Sequence, residues 1–255
     1  MGDVLLVACG GGANSTVANA KDLLTSPMEI LSRENATVPL DDPEELKRKM
    51  DGFRVIIPFS ILGGEVGTDM TRMTISCARE KGCKVVSVLG LPPEMEIERR
   101  EKALRIISDT VSQSDCSMIF DMQKTMDLNM ELYKDRKYDF FLMMVDRVIM
   151  KSINSIVECL EGPFFTIFKE RLYAFASYNE VLPSNAVMKA WDQTMFDNDT
   201  LKDSCIVLVS SHISSSEMDD IRNTIVREKG IMPEVVRRSD VEDSKVILFK
   251  AVRSF

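Results

Sequence analysis

The sequence contains a single histidine, His212. That excludes any mechanism needing two histidines, makes a Ser-His-Asp triad a poor reading, and leaves a zinc site without its usual nitrogen donors. His212 follows the apolar run 205–211 and reads as a surface-loop residue. No Cys-x-x-Cys pair occurs: Cys9, Cys77, Cys83, Cys116, Cys159 and Cys205 are scattered, mostly inside apolar runs, and read as reduced buried thiols. No apolar run reaches the roughly 18 residues that a membrane span needs. Met1 to Cys9 has no basic n-region, and its apolar stretch ends in glycines, so it reads as a strand and not as a signal peptide. A basic excess is missing too. The formal net charge is −8, whereas general nucleic-acid binders carry a basic face. These absences predict a soluble cytoplasmic protein with neither nucleic acid nor membrane as partner.

What is present is 255 residues, 45% of them hydrophobic, enough for one large domain or two small ones. The first half alternates strand and helix patterns. Val4–Cys9, Arg54–Phe59, Val85–Leu89 and Cys116–Phe120 are continuous apolar runs of the kind buried in parallel sheets. Helices are expected over Asn14–Leu24, again for a turn or two from Pro27, from the Asp41-Asp42-Pro43-Glu44-Glu45 start, over Thr68–Lys81, and from Pro93 to about Val111. This order predicts a doubly wound α/β fold with right-handed crossovers. Asp139–Leu160 reads as one long helix, apolar on more than one stripe, as a helix between two domains would be. Leu172–Tyr178, Cys205–Ser210, Glu234–Arg237 and Lys245–Val252 read as strands, and Ser214–Lys229 as a helix stopped by Gly230. The expected organisation is a parallel-sheet nucleotide-binding domain over 1–138, a central connecting helix over 139–161, and a smaller α+β domain with a mixed sheet over 162–255.

Two glycine clusters carry the chemistry. Gly10-Gly11-Gly12-Ala13-Asn14-Ser15 follows the first strand and opens a helix. Glycines let backbone approach a phosphate, and helix-start N–H groups point at it. Gly63-Gly64-Glu65-Val66-Gly67-Thr68-Asp69 stands in the same position after the Arg54–Phe59 strand. Two such loops on neighbouring strands would grip one polyphosphate from both sides. The Rossmann pattern G-x-G-x-x-G is matched only at Gly10 and Gly12, its third position falling on Ser15, and no acid-ending strand is evident near residue 35. The Walker pattern is absent.

In context, these loops resemble those of the tubulin/FtsZ superfamily. The first is similar to GGGGNNAVN, and the second to GGGTGTG, present here as GGEVGTD with Gly63, Gly64, Gly67 and Thr68 matching. Glu96 and Arg100 have the spacing of the family's ribose-contacting E-x-x-x-R pattern. Phe141-Leu142-Met143-Met144-Val145-Asp146 resembles its base-contacting F-x-x-A-D stretch, with Asp146 in the aspartate's place, where a carboxylate accepts from guanine N1–H and the 2-amino group. The resemblance implies binding of GTP or GDP through Gly10, Gly11, Gly12, Ala13, Asn14, Gly63, Gly64, Glu65, Val66, Gly67, Thr68, Glu96, Arg100, Leu142 and Asp146. It also implies self-association, or association with a related tubulin-like protein, in a cytoskeletal or cell-division polymer. Mg²⁺ is a possible companion of the nucleotide, with no protein metal cluster expected.

Departures from the family matter as much. The stretch between the first helix and Arg54 is short, and the family's second strand and N-T-D lid are expected to be lost. Where the family places catalytic aspartates, Gly162 to Arg171 holds only Glu170, flanked by Lys169 and Arg171. A water-positioning residue is worth orders of magnitude in phosphoryl transfer, so weak or absent GTP hydrolysis is expected, with Glu170 the one candidate acid. Glu65 in a phosphate loop repels a terminal phosphate unless a cation compensates. The family's acidic linker and C-terminal peptide are expected to be absent. Three readings stand beside the leading one: an active self-assembling GTPase, a nucleotide-free scaffold, and a dinucleotide-binding enzyme.

Overall fold

The computed structural model describes residues 3–33, 42–130, 137–160, 165, 168, 172–196, 200–238, 241 and 244–253. The chain forms two compact units, one reaching Val157 and the other running from Glu158 to Arg253.

The first unit contains β1 (Val4–Ala8), α1 (Gly10–Ala20), β2 (Glu29–Leu31), α2 (Pro43–Lys49), β3 (Val55–Ile61) and α3 (Glu65–Glu80). They are followed by β4 (Lys84–Leu91), α4 (Ile97–Gln113), β5 (Cys116–Asp121) and α5 (Met122–Met130). The last helix, α6, spans Tyr138–Cys159. The strands are all parallel, in the order β2-β1-β3-β4-β5. Every residue of β1 and β3 is buried, as expected of strands covered on both faces. One side of the core gathers Leu5, Val7 and Ile56 from the sheet with Leu46, Met50, Ile75 and Ala78 from α2 and α3. The sheet order reverses direction between β1 and β3. Ligands of open α/β sheets bind outside the strand carboxyl ends at such a reversal.

Several expected boundaries are corrected. Residues after Pro27 form the short strand β2 instead of a helical turn, with Leu31 opposite Val7 and buried. A second strand is therefore retained, because the edge of β1 offers unpaired backbone groups and apolar cover. The helices begin elsewhere than expected: α1 at Gly10, not Asn14; α3 at Glu65, not Thr68; α4 at Ile97, not Pro93. Pro93 opens only a turn, closed by the Glu96 N–H to the Pro93 carbonyl at 3.0 Å. The α2 start is as expected, Asp42 accepting from the backbone of Glu44 at 2.9 Å and Glu45 at 3.4 Å. Helix α5 was not foreseen. Its start is fixed by Asp121, whose Oδ1 accepts from the Gln123 N–H.

The second unit contains β6 (Leu172–Asn179), α7 (Pro183–Asp192), β7 (Thr200–Ser210), α8 (Ser215–Lys229), β8 (Pro233–Arg238) and β9 (Lys245–Val252). Strand order is β6-β9-β7-β8, antiparallel about β9 and parallel between β7 and β8, so the expected mixed sheet is present. Its core packs Val187 and Ala190 of α7 and Ile221 and Ile225 of α8 on Val207, Val209 and Leu248. Helix α7, also unforeseen, begins with Pro183 at its first turn. Helix α8 has the reciprocal capping box of Ser214 and Glu217 and a left-handed Gly230 at its end. Ser214→Ala should therefore lower stability by about 1 kcal/mol, read from the guanidinium midpoint. An unchanged midpoint would contradict the cap.

Candidate functional site

Three helices start at the carboxyl ends of β1, β3 and β4. Their N-cap residues are Cys9, Gly64 and Glu96, and none of the three makes a side-chain cap. By contrast, α2 and α8 are capped by Asp42 and Ser214. The first-turn N–H groups of α1, α3 and α4 thus lack a capping side chain, and the positive ends of three helix dipoles meet on one groove. The groove has a volume of ≈ 920 Å³ and runs between Gly10–Gly12, Gly63–Gly67 and the segment from Met95 to Arg99, with Lys102.

The glycines divide into those that hold the groove together and those that open into it. Gly10 has φ +86°, and a Cβ there would stand 2.5 Å from the Gly67 Cα. The two glycine turns are therefore in direct backbone contact. Gly63 has φ +84°, and a Cβ there would overlap the Arg99 carbonyl oxygen, so the second turn also seats on α4. A Cβ on Gly12 would stand 3.1 Å from the Ile61 side chain and 3.4 Å from the Arg99 Nη2. A Cβ on Gly11 or Gly64 would meet nothing within 4 Å. These two positions leave the backbone bare toward the groove.

Charge on the lining is mixed: Glu65, Glu96 and Glu98 stand with Arg99 and Lys102. Arg99 Nη1 donates to Glu96 Oε2 at 2.8 Å, and its Nη2 donates to the Ile61 carbonyl at 3.3 Å. Arg100 points elsewhere. It donates to both Asp121 oxygens, at 2.9 and 2.5 Å, and to the Pro92 carbonyl at 2.6 Å. The Asp121 carboxylate holds its guanidinium above the usual arginine range. The structure brings Glu96 together with Arg99, three residues on, instead of with Arg100. Burial, with the nearby Glu96 charge, raises the Tyr138 phenol. Cys9, at the α1 start, is buried, and burial pushes its thiol up to about 11.

Ala13, Asn14, Thr68, Leu142 and Asp146 do not line the groove. Ala13 and Thr68 are buried. Asn14 is a structural staple: its Nδ2 donates to the Ala8 and Gly10 carbonyls, and its Oδ1 accepts from the Arg33 N–H. Asp146 is only 8% exposed and already has two donors, Thr16 Oγ1 at 2.6 Å and Asn19 Nδ2 at 2.8 Å. Leu142 is half-buried one turn earlier on α6. Further along α6, Asn154 Oδ1 accepts from the Thr25 and Ser26 N–H groups, both at 2.8 Å. Glu170 lies outside the described residues, among which no group of His, Cys, Asp and Glu could hold a metal ion. Sequence reading missed Arg99 and Lys102 as groove residues; their i,i+3 spacing on the first turns of α4 was the available signal.

The sheet order, the uncapped helix starts and the paired glycine turns define a doubly wound α/β protein with a groove at its topological switch point. No protein-family model matches the chain, and no curated protein matches it in sequence. Solved structures do match. CetZ from Methanosaeta thermophila superposes with a TM-score of 0.73 at 12% identity, over 99% of this chain and 87% of that one. An empty FtsZ dimer from M. jannaschii gives 0.67 at 17% identity, over 98% and 88%. TubZ in GDP-form protofilaments from Bacillus thuringiensis serovar israelensis gives 0.66 at 12%, over 97% and 84%. The chain has the tubulin/FtsZ fold, and the expected fold class is borne out.

Proposed function

We propose that this chain is an FtsZ/tubulin-like protein that binds a guanine nucleotide, GTP or GDP, with its phosphates in the Gly11–Gly64 groove. We further propose that it works by associating with copies of itself or with a related tubulin-like protein in a cytoskeletal or cell-division polymer. The observation that carries the reading is the convergence of three uncapped helix starts on two glycines that present bare backbone. Phosphate oxygens accept from those N–H groups, and the dipoles favour their charge. The residues fit the phosphate end of a nucleotide. They do not fit the family's guanine contact as directly, because Asp146 would have to release Thr16 or Asn19 to accept from a base. Association is supported by the neighbours, described as an FtsZ dimer and as TubZ protofilaments. Hydrolysis is proposed to be weak or absent, since Gly162 to Arg171 holds no aspartate. Among the described residues no helix is long and apolar enough to cross a membrane.

Calorimetry with GTP, GDP, ATP and NAD tests the proposal. Guanine nucleotides should bind and NAD should not. Silence toward every guanine nucleotide at millimolar concentration would overturn the reading and leave a nucleotide-free scaffold. Gly11→Ala and Gly64→Ala sharpen the test. Neither added methyl meets protein within 4 Å, and alanine within a helix is favoured over glycine by about 1 kcal/mol. Gly11→Ala should therefore be as stable as the parent or more so, and Gly64→Ala, at an N-cap where glycine is favoured over alanine, should lose about 1 kcal/mol. Both should weaken nucleotide binding by about tenfold or more, because the methyl occupies the approach to the backbone N–H groups. Unchanged affinity in both would place the phosphates elsewhere.

A further inference from the structure

The groove carries more carboxylates than cations, so backbone N–H groups alone face a polyphosphate across Glu65, Glu96 and Glu98. We propose that Arg99 and Lys102, on the first turns of α4, form the cationic wall that grips the phosphates, with Glu96 as a latch on Arg99. This deepens the proposed function and rests on its reading of the groove as a phosphate site.

Both side chains line the groove. Arg99 is a third exposed, and its Nη2 lies 3.4 Å from where a Cβ on Gly12 would stand. Its backbone carbonyl is the seat of Gly63. Arg99 thus meets both glycine turns, the first through its guanidinium and the second through its backbone carbonyl. Its two present partners are replaceable: Glu96 Oε2 is a half-exposed carboxylate, and the Ile61 carbonyl is a single neutral acceptor at 3.3 Å. A phosphate offers the same planar fork a bidentate, charge-assisted pair. Lys102 makes no ion pair among the described residues, so its ammonium reaches the groove without first breaking one. Arg100, which has the spacing expected from the family, is locked by three acceptors outside the lining.

The latch has a direction. Glu96 competes with an anion for the same guanidinium, so removing its charge frees Arg99 and strengthens binding. Closing the site exchanges the Glu96–Arg99 pair for a phosphate–Arg99 pair and frees the carboxylate.

The test measures GDP and inorganic pyrophosphate binding by calorimetry on the full chain and on Arg99→Ala, Arg99→Lys, Lys102→Ala, Glu96→Gln and Arg105→Ala. Arg105 is an exposed arginine on the same helix, paired with Glu101 and away from the lining, so its variant controls for net charge. Arg99→Ala should weaken both probes by about tenfold or more, Lys102→Ala by about threefold, and Arg105→Ala by less than twofold. Arg99→Lys should recover part of the loss. Glu96→Gln should tighten binding several-fold. Melting temperatures report whether each variant is folded. If the parent binds neither probe, the phosphate reading of the groove fails. If the parent binds and folded Arg99→Ala and Lys102→Ala bind equally well, the cationic wall is overturned while the groove stands. Weaker binding by Glu96→Gln would overturn the latch.

Discussion

Gly63→Ala should lower the unfolding free energy by about 3 kcal/mol. Two costs add. At φ +84° an L side chain occupies the left-handed region, at about 1–2 kcal/mol. The methyl would also overlap the Arg99 carbonyl oxygen, which is helix backbone and yields only if α4 shifts; overpacking of this kind costs roughly 1–3 kcal/mol. Because Arg99 moves with its carbonyl, nucleotide affinity should fall with stability. Guanidinium unfolding and calorimetry on one preparation separate this from Gly64→Ala, the neighbour that should lose affinity with a much smaller loss of stability. A Gly63→Ala chain within about 0.5 kcal/mol of the parent would mean that the second turn is not seated on α4.

Asp146→Ala should cost about 2–3 kcal/mol in the absence of any nucleotide. The carboxylate is nearly buried and accepts from Thr16 and Asn19 of α1. Truncation leaves the Asn19 amide without that acceptor and removes one tie between α6 and the helix carrying the first glycine turn. Thr16 retains the Gly12 carbonyl at 3.1 Å, which keeps the loss below that of two stranded donors. Asp146→Asn should fall between, since one amide oxygen replaces two carboxylate oxygens. The discriminating measurement is the melting temperature of nucleotide-free protein. A residue acting only on a bound base would leave it unmoved, and a buried link lowers it.

The parallel strands were legible because β1, β3, β4 and β5 are buried on both faces and read as unbroken apolar runs. The start of α2 and both ends of α8 were legible through Asp42, Ser214, Glu217 and Gly230, whose side chains or conformations do the capping. The starts of α1, α3 and α4 were misplaced because none has a side-chain cap. A helix without a Ser, Asp or Asn cap has nothing in its sequence to announce its first turn. Strand β2 is only Glu29–Leu31, too short to show a period. Helix α7 did offer Pro183 at its first turn, a signal that was overlooked. The groove side chains could not be resolved from spacing. Glu96 to Arg100 and Glu96 to Arg99 are both helical neighbours, and the choice is made by Asp121, 21 positions from Arg100. The burial of Asp146 depends on residues 130 and 127 positions away.

The touching backbones of Gly10 and Gly67 set a tolerance rule for the whole groove. A contact made of main-chain atoms is indifferent to the side chains around it, provided that Gly10, whose Cβ would stand 2.5 Å from the Gly67 Cα, stays glycine. Glu65, Val66 and Asp69, where the second turn departs from the family's letters, sit on its solvent side and can drift without moving the turns apart. A backbone contact of this kind asks little of the surrounding sequence, and a chain 12% identical to CetZ and matching no family model has the same fold.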